Sequence, residues 1–151
     1  MYIREVRDFR RTLRRFQRVT SVQLKSCCAG VTLAQCLVLL ETEEIDRPTV
    51  GQLASRLRLD NSTLSRTIEG LVRNGLLERS RDDADRRVVW IRLTEAGKAH
   101  CRSIHKENDA HCRRVFEKIA PSRRAAVVRS FETLVQAYLD AETEPSKEGS
   151  L

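Results

Sequence analysis

The segment NSTLSRTIEGLVRNGLLERSRDDADRRVVWIRLTEAG, residues 61–97, determines the fold class of this chain of 151 residues. Its first third has apolar residues at helical spacing from Leu64 to Leu71, and the Asn74-Gly75 pair that follows is typical of a helix C-terminus. Two short runs, residues 76–80 and 88–93, then favour strands, and a polar segment rich in Asp and Arg separates them. The segment therefore predicts a helix followed by a β-hairpin with a long, charged tip.

Two further helices are predicted immediately upstream. Thr32 and Gln35 form a capping box that opens the first of them, and Thr49 caps the second, shorter one. The inward positions are Leu33, Leu37 and Leu40 in the first helix and Val50, Leu53, Ala54 and Leu57 in the second. Asp60-Asn61 caps the helix of the quoted segment, so two short helices joined by a tight turn precede the hairpin. That order is typical of a winged helix-turn-helix.

Long helices are predicted on both sides of this region. The first runs from the N-terminus to about Leu24, the second begins after the capping residue Thr94, and the third follows Pro121. Their apolar faces contain Ile3, Val6, Phe9, Leu13 and Phe16 in the first, Ile104, His111, Val115 and Ile119 in the second, and Val127, Val128, Phe131, Leu134, Val135 and Tyr138 in the third. Residues 142–151 form a polar tail that we expect to fray. The predicted fold class is mainly α with a small β-hairpin wing.

The chain carries an excess of positive charge. Its 28 Lys and Arg residues outnumber 21 Asp and Glu residues, which gives a formal net charge of +7 and a pI near 9.6. Such an excess favours an anionic partner. The first helix has a strongly basic face, which is open to three interpretations: a solvated surface, a phosphate contact, or the rim of a subunit interface. Its members are Arg4, Arg7, Arg10, Arg11, Arg14, Arg15, Arg18 and Lys25.

Composition argues against several classes of protein. Only 5% of the residues are aromatic, which fits a helical protein better than a β-sandwich or a barrel. The longest uninterrupted apolar run, residues 36–40, is far shorter than the roughly 20 residues of a membrane span, and the N-terminus lacks the apolar segment of a secretory signal. We therefore expect a cytoplasmic protein with no membrane partner. Five cysteines in such a chain argue against a disulfide framework.

The predicted helix-turn-helix and wing carry side chains suited to double-stranded DNA. The second helix of the pair offers short hydrogen-bonding groups and one guanidinium for base edges, namely Asn61, Ser62, Thr63, Ser65 and Arg66. An ordinary capped surface helix explains the same residues equally well. The wing favours DNA, because four arginines lie within nine residues on a hairpin that suits a narrow, electronegative minor groove. They are Arg79, Arg81, Arg86 and Arg87. Asp85 is placed to orient one arginine beside it by a salt bridge, and the sequence leaves open which one.

With these elements in place, the sequence resembles the MarR-type transcriptional regulators. The family pattern is a leucine, a Gly-Leu pair, an arginine, a D-R-R wing and an L-T-x-x-G helix start. The matching residues are Leu71, Gly75, Leu76, Leu77, Arg79, Asp85-Arg86-Arg87, Leu93-Thr94 and Gly97. Thr32-x-x-Gln35 and Leu53-Ala54-x-x-Leu57 support the resemblance upstream, and the order of elements agrees along residues 3–140.

The resemblance implies a bacterial or archaeal homodimer that binds a pseudo-palindromic operator and acts as a repressor released by an effector. A single domain, residues 1–151, is expected, with dimerisation helices in residues 3–30 and 94–140 and the winged helix in residues 31–93. By position, residues 61–66 would read bases, and Arg86 or Arg87 would enter the minor groove. Phosphates would be held by Thr49, Gln52 and Arg56.

Three cysteines fall where regulators of this family carry an effector site, close to the first two helices. They are Cys27, Cys28 and Cys36. Two thiol mechanisms follow: oxidation to a disulfide, or capture of a soft ion such as arsenite, mercury, cadmium or zinc by thiolates. Either would change operator affinity by moving the winged helices. The competing interpretation is that these cysteines are small buried hydrophobes.

A second group of candidate ligands lies on the long helix after Thr94. Cys101, His105 and Cys112 are at offsets of four and seven, a spacing that suits transition-metal ligation. Cys101 and Cys112 also border the apolar face, so packing is the competing interpretation. A soft metal or metalloid ion is therefore the one cofactor that the sequence suggests.

Other functions compete with thiol sensing. A repressor that answers to a small hydrophobic or phenolic ligand, with structural cysteines, agrees with the same residues, and so does a constitutive architectural DNA binder. A thiol enzyme is the remote alternative, because the chain has no Gly-rich phosphate loop, no H-E-x-x-H, no C-x-x-C and no Ser-centred elbow. We therefore expect no catalytic residues.

Overall fold

The computed structural model describes residues 2–26, 28 and 30–143. Over these residues the chain forms six helices and two strands, in the order α1 (Tyr2–Ser26), α2 (Leu33–Ile45), α3 (Val50–Leu57), α4 (Asn61–Arg73), β1 (Leu77–Arg81), β2 (Val89–Leu93), α5 (Glu95–Glu117) and α6 (Pro121–Thr143). The chain divides into two compact units, Met1–Asn108 and Asp109–Leu151. None of the described helices combines the length and the apolar character needed to cross a membrane. The predicted mainly α fold with a hairpin wing is confirmed.

Side-chain caps set the starts of the middle helices. Thr32 Oγ1 accepts a hydrogen bond from Gln35 N at 3.2 Å, and Gln35 Oε1 accepts one from Thr32 N at 3.0 Å, which is the predicted capping box. Thr49 and Gln52 form a second box with distances of 3.2 and 2.8 Å. Asp60 caps α4 by accepting a bond from the Thr63 amide at 2.8 Å. These local bonds fix where α2, α3 and α4 begin.

The core of the first unit lies between α2, α3, α4 and the hairpin. The predicted inward residues of α4 are fully buried, and Leu53 of α3 is buried beside them. Val50, Ala54 and Leu57 pack against this core while half-buried. The buried apolar members are Cys28, Cys36, Val38, Leu39, Leu53, Leu64, Ile68, Leu71, Leu77, Ile91, Cys101 and Ile104.

The predicted apolar face of α2 is wrong for two of its leucines. Leu33 and Leu37 are 39% and 42% exposed, and the residues that face the core include Cys36, Leu39 and Thr42. α2 is apolar on nearly every side over its first two turns, so spacing alone did not identify the buried face. Contacts with α3 and α4, which come later in the chain, select it.

The hairpin is anchored at its base by the loop between α2 and α3. β1 and β2 are antiparallel, with Leu77 opposite Leu93, and each strand begins one residue later than predicted. Thr49 forms an isolated bridge with Trp90, and Ile91 N donates a hydrogen bond of 2.8 Å to a carbonyl of that loop. The loop therefore lies along β2 and holds the wing against α3.

The start of α5 is fixed against the end of α4. Thr94 Oγ1 donates to the Gly75 carbonyl at 2.6 Å and accepts a bond from Gly97 N at 3.0 Å. Gly75 has a φ of +70°, the left-handed conformation that a helix C-cap requires. A Cβ atom at Gly97 would overlap the carbonyl oxygen of Leu76. The L-T-x-x-G pattern is thus explained by close packing of the first turn of α5 on the turn after α4.

Apolar side chains are exposed on the outer helices. In α5, Ile104 is the buried member of the predicted face, and Ile119 lies beyond the end of the helix. The large exposed apolar residues of α1, α5 and α6 are Tyr2, Ile3, Val6, Phe9, Phe16, Val19, Val115, Phe116, Val128, Phe131, Val135, Tyr138 and Leu139. Faces of this kind are typical of subunit interfaces.

Candidate nucleic-acid interface

α4 presents the predicted base-reading residues on one side while its other side is in the core. Four of the five are exposed, namely Asn61, Ser62, Thr63 and Arg66, and Ser65 is half-buried. The buried leucine and isoleucine side chains of α4 hold the helix rigidly. A rigid helix that exposes short polar groups at its N-terminal end has the geometry of a major-groove reading helix.

Asp60 restrains the first turn of α4. Its Oδ1 accepts hydrogen bonds from Ser62 Oγ at 2.5 Å and from Thr63 N at 2.8 Å. These bonds, with the bond from Ser62 contributing most, lower the pKa of Asp60 well below its usual range. The carboxylate therefore stays ionised at neutral pH. Because the Ser62 hydroxyl donates to Asp60, its lone pairs are left to accept a bond from a base amino group.

The side chains at α3 that were predicted to contact phosphate already have hydrogen-bond or ion-pair partners within the protein. The side-chain oxygens of Thr49 and Gln52 are occupied by the capping box, although Gln52 remains exposed. Arg56 lies between two carboxylates of α2, with Nε 2.8 Å from Glu41 Oε2 and Nη2 2.8 Å from Glu44 Oε1. Hydrogen bonds to Glu41 and Glu44 raise the pKa of Arg56. Arg56 therefore ties α3 to α2, which the sequence did not predict.

At the tip of the wing, Asp85 holds Arg87. Asp85 Oδ1 accepts hydrogen bonds from Arg87 N at 3.0 Å and from Arg87 Nε at 3.3 Å. The Arg87 side chain is nevertheless 93% exposed, so its two Nη groups point into solvent with their donors available. Arg86 is also exposed and has no ion pair with any residue that the structure describes. The pairing that the sequence left open is thus with Arg87.

Asp82 organises the same tip, and the sequence analysis did not single it out. Its Oδ1 accepts bonds from Ala84 N at 2.9 Å and Asp85 N at 3.0 Å, and its Oδ2 accepts one from Trp90 Nε1 at 2.9 Å. These bonds, that of Trp90 first, lower the pKa of Asp82. An aspartate placed two and three residues before the amides it binds is the signal of an Asx turn, and it was available in the sequence.

Trp90 connects the wing to the loop between α2 and α3 a second time. The guanidinium carbon of Arg47 lies 5.9 Å from the centroid of the Trp90 ring, within the range of a cation–π contact. Asp46 and Arg47 have φ values of 52° and 63°, a left-handed conformation that is costly for these residues. The unfavourable backbone conformation therefore occurs where the loop contacts the Trp90 ring.

A cavity of about 480 Å³ lies between α4 and the wing. Ser65 lines it from α4, and Arg79 and Arg81 line it from β1. Alternation along a strand places both arginines on the same face of the hairpin as the buried Leu77. Two guanidiniums and a hydroxyl around one opening have the chemistry of a phosphate contact.

The predicted effector cysteines lie in the core where the structure describes them. Cys28 and Cys36 are 2% and 5% exposed, whereas Cys27 lies outside the described residues. Both buried cysteines belong to the cluster formed with α3 and α4. A reagent in solution reaches such side chains only when this part of the molecule opens locally.

The predicted metal ligands are not brought together. Cys101 is fully buried, and burial raises the pKa of its thiol to about 11. His105 Nε2 lies 2.6 Å from Glu43 Oε2, and Cys112 is exposed. Across residues 2–26, 28 and 30–143, no group of three or more His, Cys, Asp and Glu side chains is arranged to hold a metal ion. The side chains described in one chain therefore do not fit a metal site.

Comparison with known proteins agrees with a helix-turn-helix followed by a wing. The sequence profile of the MarR family matches residues 31–89. The chain is 30% identical over 105 residues, 70% of its length and 72% of the relative's, to an uncharacterised helix-turn-helix transcriptional regulator of Bacillus subtilis, YsmB. It is 37% identical over 68 residues to the organic hydroperoxide resistance transcriptional regulator of Bacillus subtilis, covering 45% of this chain and 46% of that one.

A solved structure shows the same fold over almost the whole chain. It is a MarR family protein from Bacillus stearothermophilus, with a TM-score of 0.82 and 25% identity, and the alignment covers 92% of this chain and 99% of that one. The relatives found in these comparisons are transcriptional regulators with a winged helix. The chain therefore belongs to the MarR family and is a DNA-binding transcriptional regulator.

Proposed function

We propose that this regulator is a homodimeric repressor that binds a pseudo-palindromic operator of double-stranded DNA through α4 and the wing. The observation that carries the proposal is the Asp85–Arg87 pair. A guanidinium held through its Nε, yet almost fully exposed, needs little further ordering to enter a narrow minor groove. Arg87 is accordingly the groove-entering residue, and Arg86 contacts the neighbouring backbone.

Sequence would be read by α4. Asn61, Thr63 and Arg66 are exposed side chains suited to base edges, with Ser62 as an acceptor and Ser65 beside the cavity. The phosphate contacts would come from Thr49 and Gln52 at the start of α3 and from Arg79. Arg56 is not among them in our proposal, because Glu41 and Glu44 already pair with it.

Dimerisation would cover the apolar faces of the outer helices. We assign residues 3–30 and 94–140 to this function, residues 31–93 to DNA binding and residues 142–151 to a polar tail. α1 exposes Phe9 and Phe16 and α6 exposes Phe131 and Tyr138, which are large side chains that a partner chain would bury. A two-fold dimer would then present two copies of α4 to successive major grooves.

We further propose that a thiol-reactive effector, an oxidant or a soft metal ion, releases the operator by acting on Cys27, Cys28 and Cys36. Cys28 lies between α1 and α2, Cys36 lies in α2, and both belong to the core that supports α4. Modification of a core thiol would disturb the packing of that helix. The similarity to an organic hydroperoxide resistance regulator supports this choice of effector.

A second candidate effector is a small hydrophobic or phenolic ligand. Burial of Cys28, Cys36 and Cys101 favours it, because each fills the core as a small apolar residue would. The two candidates differ in one measurement. An organic hydroperoxide or arsenite should release operator from wild type and not from Cys27→Ser or Cys28→Ala/Cys36→Ala if thiols are the sensor. A phenolic acid should release it from all three if they are not.

The experiment that tests operator binding uses a duplex selected from a random library by the wild-type protein. Arg86→Ala/Arg87→Ala should bind that duplex more than about tenfold more weakly at fixed salt, while the dimer mass is unchanged. Unchanged affinity would remove the wing from the proposed interface.

A further inference from the structure

The positive charge of this protein is concentrated in one helix. Residues 1–25 contain eight basic and two acidic residues, a net charge of +6. The winged helix, residues 31–93, contains ten basic and ten acidic residues and is neutral, and residues 94–151 add only +1. The general attraction of a DNA-binding protein for the phosphate backbone depends on net charge. In this chain the winged helix contributes no net charge, and residues 1–25 contribute most of the excess.

The arginines of α1 form one continuous surface, which we name the arginine face. All of its members are exposed, and their spacing of three and four residues confines them to a sector of about 140° at 100° per residue. Phe9 and Phe16 lie on the opposite side of the helix. The arginine face consists of Arg4, Arg7, Arg10, Arg11, Arg14, Arg15 and Arg18.

Charge on the arginine face is almost uncompensated. Arg11 pairs with Asp8 at 2.6 Å, and the other six arginines have no ion pair with any described residue. Arginines three and four positions apart repel one another and weaken the helix, and positive charge in its first turns opposes the helix dipole. This arrangement is unfavourable for an isolated helix, and a bound polyanion would relieve it.

Double-stranded DNA fits the arginine face better than an acidic protein does. Guanidinium groups bind phosphate in a bidentate manner, and seven of the eight cations in residues 1–25 are arginine. The seven arginines lie along about 21 Å of helix axis, with successive residues about 1.5 or 4.5 Å apart, and duplex DNA presents one charge per about 1.7 Å. A row of closely spaced cations is matched by a polymer of closely spaced phosphates.

We propose that the arginine face of α1 binds the phosphate backbone of double-stranded DNA without sequence preference. It is a second nucleic-acid surface on an element other than the winged helix. It adds salt-dependent, non-specific attraction to the phosphate contacts of the winged helix, which carries no net charge, whereas the wing and α4 provide operator affinity.

The test measures binding of a duplex of about 30 base pairs that lacks the operator, as a function of salt. Arg7→Gln/Arg14→Gln/Arg18→Gln removes three arginines that have no ion pair with a described residue, with little change in helix propensity. Its affinity at about 100 mM salt should fall at least tenfold, and the slope of log affinity against log salt should decrease by about two to three. Arg7→Lys/Arg14→Lys/Arg18→Lys keeps the charge and should retain most of the affinity.

A matched control removes the same charge elsewhere. Arg113→Gln/Arg123→Gln/Arg129→Gln alters three exposed arginines of α5 and α6 and should leave non-operator affinity within about twofold of wild type. Equal losses from the two glutamine triples would overturn the proposal, because net charge alone would then explain binding. The proposal would also be overturned if the α1 glutamine triple bound vesicles of anionic lipid more weakly than wild type but bound the duplex equally well. Helical circular dichroism and the dimer mass show whether each triple is folded.

Failure of this inference is separable from failure of operator binding. Arg86→Ala/Arg87→Ala should lose more than about tenfold in operator affinity and only about twofold to threefold in affinity for the non-operator duplex, through the phosphate contact of Arg86. The α1 glutamine triple should weaken binding to the operator and to the non-operator duplex by about the same factor.

Discussion

Asp82 and Trp90 are joined by a 2.9 Å hydrogen bond from the indole Nε1 to a carboxylate oxygen. The same carboxylate binds two backbone amides of the wing tip with its other oxygen. One side chain thus connects the turn that carries Asp85 and Arg87 to β2. The orientation of Arg87, which we propose enters the minor groove, thus depends on a carboxylate that also binds the Trp90 side chain of β2.

Replacement of Asp82 should therefore reduce operator affinity. Asp82→Ala removes all three bonds, and we expect operator affinity to fall by about fivefold to twentyfold because the tip loses its fixed conformation. Gel-shift titration at fixed salt measures the affinity. Trp90 is the only tryptophan in the chain, so its fluorescence reports the loss of the bond directly.

Asp83→Ala is the matched control for this prediction. It removes the same charge from the neighbouring exposed residue, and it should change operator affinity by less than about twofold. If the two variants behave alike, the effect comes from charge rather than from the bonds of Asp82. Since the pKa of Asp82 is lowered, the bonds are present at neutral pH and are lost only under strongly acidic conditions.

Alanine at Gly97 should lower the free energy of unfolding, whereas alanine at Gly51 should raise it. A Cβ atom at Gly97 would overlap the Leu76 carbonyl oxygen, so Gly97→Ala should lower the free energy of unfolding by about 2 kcal/mol or more. Gly51 is helical and has no atom closer than 4.0 Å to a built Cβ, and Gly51→Ala should raise the free energy by about 0.5–1 kcal/mol. Urea unfolding of both variants checks the pair. A stable Gly97→Ala would show that the start of α5 can move away from the turn after α4.

Local signals allowed much of this fold to be predicted from sequence. The Thr32–Gln35 capping box, the Thr49 and Asp60 caps and the helix end at Asn74-Gly75 are set by residues a few positions apart, and all were predicted. The box that Gln52 completes with Thr49 was not predicted. The face of α2 was not, because leucines surround that helix and the choice depends on α3 and α4. Periodicity identifies a buried face only when the opposite face is polar.

In the candidate site, too, local features were predicted and contacts between distant residues were not. The arginines of the wing were visible as a cluster, but the partners of Arg56, Glu41 and Glu44, lie fifteen and twelve residues away on α2, and no local pattern connects them. Cys101 and His105 had the spacing of metal ligands, yet the first is in the core and the second pairs with Glu43, sixty-two residues distant. Spacing along a helix predicts which residues share a face, but it does not predict what that face contacts.

Alkaline pH should destabilise the protein through Cys101. Its thiol has a pKa raised by burial from 9.0 to about 11, so the unfolded chain loses this proton at lower pH than the folded chain. The stabilising contribution of the neutral thiol is present below about pH 9 and is lost as pH rises toward 11. The stability difference between wild type and Cys101→Ala should therefore shrink over that range, by at most about 2–3 kcal/mol.

Thiol labelling provides an independent check on Cys101. Cys112 is exposed and should react with iodoacetamide at about the rate of a free thiol, whereas Cys101 should react only as fast as the core opens. Mass spectrometry of timed digests separates the two sites. Equal rates would contradict the burial of Cys101 and the pH dependence that follows from it.

The most direct test of the central claim compares two adjacent arginines on the selected operator at fixed salt. Arg87→Ala should weaken binding by more than about tenfold, or about 1.4 kcal/mol, because the residue held by Asp85 enters the minor groove. Arg86→Ala should weaken it by only about twofold to threefold and reduce the salt slope by about one, as expected for a phosphate contact. Affinity of Arg87→Ala within twofold of wild type would contradict the account.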